Sequence, residues 1–135
     1  MRTMSAALLA LLAGLALVVA GCGGSDERDE STTPGQAIVE IGKVRALLDS
    51  ALARYRAGDE QRADDIVGDA YLEHFEHVEG PLGDADDDLK ENLEETIATE
   101  LRDKIKAGAP VNEVADLVGH TKEHLDEAEG LLAKA

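Results

Sequence analysis

The sequence predicts an all-α protein: an antiparallel, up-down-up-down four-helix bundle behind a signal peptide and a disordered tether. Three observations point there. Four stretches after residue 33 repeat apolar residues at spacings of three and four, the period of one helix face. Short turns carrying glycine or proline separate them, which suits antiparallel neighbours. No stretch alternates apolar and polar residues at period two, so no strand is expected.

Residues 1–21 read as a secretory signal. Arg2 supplies a basic start, and Ala6 to Ala20 is an apolar run too short for a comfortable membrane span. It ends in Val19-Ala20-Gly21-Cys22, which resembles the lipobox of prokaryotic lipoproteins. That resemblance implies cleavage after Gly21 and lipid on Cys22, so the expected location is the extracytoplasmic face of a cell membrane. Two or more acyl chains hold a protein there stably, where one would not. Cys22 is the sole cysteine, so an intramolecular disulfide is excluded and the fold must rest on its apolar core. Residues 22–33 form the lipidated cysteine and an acidic tether, too polar to bury a core. A coil of that length holds the domain about 20 Å from the lipid.

The bundle occupies residues 34–135. Its first helix opens at Thr33-Pro34-Gly35-Gln36, a capping box with proline at the first helical position. Ala37, Ile41, Val44, Leu48, Ala51, Leu52 and Tyr55 make its stripe, and Gly58 is placed to end it in the left-handed conformation. Asp59 is the expected cap of the second helix, whose face carries Ala63, Ile66, Val67, Ala70, His74 and Val78. Gly80-Pro81 is expected to stop it. An acidic turn over residues 83–88 comes next. Its aspartates imitate calcium-loop spacing but lack the glycine of the sixth place, where Leu89 stands, so they read as helix-start residues. Leu89, Leu93, Ile97, Leu101 and Ile105 form the third stripe, closed by Gly108. Val111, Val114, Val118, Thr121, Leu125, Ala128 and Leu132 form the fourth.

Charge narrows the function. The chain has 29 acidic and 13 Lys or Arg residues, net −16, and loss of Arg2 with the signal takes the mature chain to −17. Nucleic acid, whose phosphates demand basic patches, is excluded as a partner. Anionic lipid beyond the anchor is equally disfavoured, while cations are attracted. One Phe, two Tyr and no Trp leave no stacking platform. No phosphate loop, nucleophile elbow or free thiol of the mature chain offers covalent chemistry, so no enzyme is expected.

Metal binding is the chemistry that remains. Ala70 to Glu79 interleaves Tyr71 and Phe75 with Glu73, His74, Glu76, His77 and Glu79. On a helix, His74 projects near the centre of the apolar face, with His77 at its margin and Glu73 four residues before His77. A second, weaker pair is His120 and His124 at i, i+4, although His120 points away from the apolar seam. The paired Glu-x-x-His of di-iron bundles is absent.

Tyr55-Arg56-Ala57-Gly58-Asp59, then Asp69-Ala70-Tyr71-Leu72-Glu73-His74-Phe75-Glu76 with Glu79 and Leu82, resembles the extracytoplasmic helical domain of bacterial high-affinity iron permeases. The likeness runs on through Leu93-Glu94, Leu101-Arg102 and Ile105-Lys106-Ala107-Gly108, without the permease's membrane spans. It implies a stand-alone lipoprotein that binds iron or a related cation and works beside an iron permease or other membrane protein. The implied oxygen ligands are Glu73, Glu76, Glu79 and Glu94, joined by His74 and His77 where the metal accepts nitrogen. The competing expectation is an interaction module that docks on a membrane partner and uses its acids only for solubility.

Overall fold

The computed structural model describes residues 31–135; the signal peptide, Cys22 and the tether as far as residue 30 lie outside the described residues. The described chain is all-helical and forms four rods. Helix α1 spans Pro34–Arg56. Helix α2 (Glu60–Asp69), a π-helical turn π1 (Ala70–Phe75) and helix α3 (Glu76–Ala85) run on without interruption as the second rod. Helix α4 (Asp87–Glu95), a turn π2 (Thr96–Glu100) and helix α5 (Leu101–Lys106) make the third. Helix α6 (Val111–Leu132) is the fourth.

The start and stop signals act as their chemistry requires. Thr33 accepts from the Gln36 amide while the Gln36 side chain accepts from the Thr33 amide at 2.8 Å, which satisfies two otherwise free donors. Asp59 caps α2 through the Arg62 amide. Gly58 and Gly108 sit at φ 83° and 65°, the left-handed region that a side chain resists. Between them, the Tyr55 hydroxyl donates to the Ala109 carbonyl at 2.6 Å and ties the end of α1 to the turn before α6.

All seven stripe residues of α1 are buried, and so are Leu93, Ile97, Leu101 and Ile105 of the third rod. In α6 the buried set runs from Val114 to Leu132; Val111, expected in the seam, is exposed because it is the first residue of the helix. Leu89 is only partly buried for the same reason: it stands in the first turn of α4.

The second rod departs from its expected register. His74 is not central on the apolar face; Phe75 is, and is fully buried. The cause is π1. The amide at its end, on Glu76, donates to the carbonyl of Tyr71 five residues earlier, so this turn holds an extra residue and rotates the remainder of the rod. The buried series therefore steps from Ala70 to Phe75, then to Val78 and Leu82.

Nor does the rod end at Gly80-Pro81. Pro81 lies inside α3, which runs to Ala85. Proline in a helix costs about 3 kcal/mol, mostly from the lost bond and the ring clash. Gly80 has no Cβ for that ring to meet. Leu82, one residue on, is fully buried and returns about 1.5–3 kcal/mol. The turn shrinks to Asp86, extended at φ −159° and ψ 97°, whose carboxylate takes the Leu89 amide at 3.0 Å and starts α4.

Ion pairs join the rods outside the core. Arg102 grips both oxygens of Asp64, at 2.7 and 3.1 Å, and this guanidinium holds the Asp64 carboxyl below its usual range. Arg45 meets Asp126 and Glu129, each at 2.6 Å, and Lys122 meets Asp49 at 2.7 Å.

The register set by π1 is testable by substitution. Phe75→Ala is expected to lower unfolding free energy in urea by about 3–5 kcal/mol. His74→Ala should lose about 1 kcal/mol, the worth of one hydrogen bond. Equal losses would mean that the rod keeps an uninterrupted α-helical register.

Candidate functional site

The extra residue in π1 divides the Ala70–Glu79 stretch among three surroundings. Tyr71 and Phe75 stack with ring centroids 6.1 Å apart, Phe75 within the core and Tyr71 at its edge. His74 turns towards α1, where its Nδ1 lies 2.7 Å from Oε2 of Glu40. Glu40 also takes Lys43 at 2.8 Å, and Lys43 first, with His74, holds its carboxyl below the usual range. His74 is thus engaged by a carboxylate of another helix.

Glu73 and His77 are both exposed. His77 opens, with Glu76 and Asp84, on a groove of about 820 Å³ at one end of the bundle. His120 is exposed and 3.4 Å from its own neighbour Glu123, and His124 is partly buried. Among the described residues, no group of three or more His, Cys, Asp or Glu side chains is placed to hold a metal ion as the side chains stand.

Glu76, Glu79 and Glu94 lie near enough to Tyr71 to act on it electrostatically. Glu79 is partly buried, and its Oε1 is shut off from solvent without a hydrogen-bond partner. Burial raises its carboxyl above the ordinary range, the charges of Glu94 and Glu76 push the same way, and Tyr71 and Lys90 oppose them. The Tyr71 hydroxyl is pushed up to about 12, by burial first and then by the neighbouring carboxylates of Glu79, Glu94 and Glu76. Three carboxylates on two rods therefore feel one another across a seam.

That seam is where π1 and π2 pack together. Tyr71 belongs to π1 and Glu76 comes directly after it; Glu94 stands two residues before π2. Beside Glu94 the surface is hollowed by about 410 Å³ between Glu91, Glu95, Ala98 and Thr99. The sequence alone did not single out Tyr71 as a partner of Glu79, nor Glu40 as the partner of His74. Glu40 carried a signal, since it stands three residues after Ala37 and four before Val44, on the buried phase of α1.

Comparison with protein-family profiles, with curated proteins and with solved structures found no match for this chain.

The raised Glu79 carboxyl gives a pH prediction. Because folding favours its protonated form, its charge opposes folding at neutral pH and ceases to do so as pH falls into the carboxylate range. Glu79→Gln should therefore be more stable than the parent at pH 7, with the advantage shrinking towards pH 4. Urea unfolding at both pH values reads this. A variant that is less stable at pH 7 would show that the carboxylate is well solvated.

Proposed function

We propose that the chain is a lipid-anchored, extracytoplasmic bundle that captures a hard cation, iron foremost, beside a membrane transporter. Cys22 carries the lipid, and the four rods run up, down, up and down. The ion pairs support that direction: Arg45 reaches Asp126 and Glu129, while Asp49, further along α1, reaches Lys122, earlier in α6. The likeness to the iron-permease domain supplies the cargo.

The observation that carries the reading is the Glu76, Glu79 and Glu94 seam with its buried, unpaired Glu79 oxygen. Carboxylates brought together against their own repulsion relax when a cation joins them, and oxygen donors suit hard iron. Two π turns meet at this seam, and π turns in α-helices occur frequently at functional sites. Glu76, Glu79 and Glu94 are the ligands and Tyr71 steadies Glu79. His74, held by Glu40, is left out of the set, and so are Glu73 and His77 on the outer face. A chain of net charge −17 draws cations to that seam over distances longer than any contact.

Titration of the lipidated mature chain in detergent with iron(II), without oxygen and at neutral pH, tests this. One ion per chain is expected to bind at micromolar concentration or tighter. Glu79→Gln and Glu94→Gln should each weaken binding at least tenfold, about 1.4 kcal/mol. His120→Ala and His124→Ala should leave it unchanged. Binding no tighter than millimolar, or indifferent to Glu79 and Glu94, would sink the reading.

A further inference from the structure

The groove at the end of the bundle shares Glu76 with the seam and otherwise lies apart from it. It lies between the start of α1 and the end of α3, and Pro34, Pro81 and Ala85 give it apolar walls. Glu76 and Asp84 face it, His77 stands between them, and none of the described residues lining it is Lys or Arg. Asp84 and Ala85 are the last residues of α3, the end at which a helix's free carbonyls favour positive charge. The opposing N-terminus of α1 is already closed by its capping box, so it presents few free donors. Residues 76–95 around it hold nine acidic side chains and one lysine, Lys90, which is paired with Asp87 at 2.9 Å.

We propose that this groove docks a basic peptide segment of a partner protein. A volume of about 820 Å³ is far larger than a metal ion needs and falls in the range of pockets that enclose organic groups. Its lining matches the two-part chemistry of Lys and Arg, whose methylene stems lie along apolar surface while the charged head seeks carboxylate. Pro34, Pro81 and Ala85 take the stems, and Glu76 and Asp84 take the heads. Anionic lipid and nucleic acid meet the wrong sign of charge here.

The probe is a ten-residue peptide of alternating lysine and alanine, measured by fluorescence anisotropy against the lipidated mature chain in detergent. Ala85→Trp fills the groove without changing charge, and Asp84→Lys reverses one wall. Each should weaken binding at least tenfold. Asp116→Lys, an equal charge change at a site on α6 away from the groove, should shift it less than twofold. Helicity by circular dichroism should stay as in the parent for Ala85→Trp and Asp84→Lys, since Asp84 and Ala85 are exposed. Three outcomes overturn the proposal. Weakening by Asp116→Lys equal to that by Asp84→Lys would reduce the effect to diffuse charge. Binding by Ala85→Trp equal to the parent's would place the peptide elsewhere. A tenfold tightening on deletion of residues 23–30 would make the chain's own tether the occupant.

Discussion

One extra residue between Ala70 and Phe75 governs how the second rod meets its neighbours. It brings Phe75 into the core where a regular helix would bring His74, and the rest of the rod keeps that phase through Val78 and Leu82. The same rotation turns His74 onto Glu40 of α1 and lays Tyr71 over Phe75. It also sets Glu79 against the third rod rather than in open solvent. A residue added to one turn thereby separates the side chains buried in the bundle from those at its edge. Burial of Phe75 offsets the poorer geometry of the turn, since an aromatic side chain contributes more by leaving water than one strained turn takes away.

The second constraint is charge. The chain is strongly acidic, and its basic residues are used elsewhere: Arg102 and Lys106 on Asp64, Arg45 and Lys122 between α1 and α6. Most of these pairs are near the surface and are worth about 0–1 kcal/mol each, so they orient rods that the apolar core holds together. Around the turn at Asp86 the acids outnumber their partners, and that excess is common to the seam and the groove. The two differ in shape. At the seam carboxylates of two rods act on one another's charge beside a buried oxygen; at the groove they flank apolar walls with room for side chains.

Much of the fold was legible because helical periodicity is strong where one face is buried. The stripe of α1, its capping box and the two left-handed glycines are local features, and local chemistry decided them. The features that could not be read were set by tertiary packing. Nothing in Ala70 to Phe75 announces a π turn; it exists because Phe75 fills the core better than His74. Pro81 is a helix breaker by every local rule, yet Leu82 beyond it has a place in the core. The site divides likewise. The glutamates at the edge of the second rod were visible as acids on one helix face. Their coupling to Tyr71 and the capture of His74 by Glu40 depend on tertiary contacts, and Glu40 lies far away in sequence.

The proposal that the π-turn seam holds the cation is tested most directly by placing the ion. Anomalous diffraction at the iron edge, from crystals of the lipid-free chain grown with iron(II), does so. One strong peak is predicted within bonding distance of Glu79 and Glu94 oxygens, about 2.0–2.2 Å as for other divalent metals on carboxylates. A peak at His77, or between His120 and His124, with none at the seam, would contradict it.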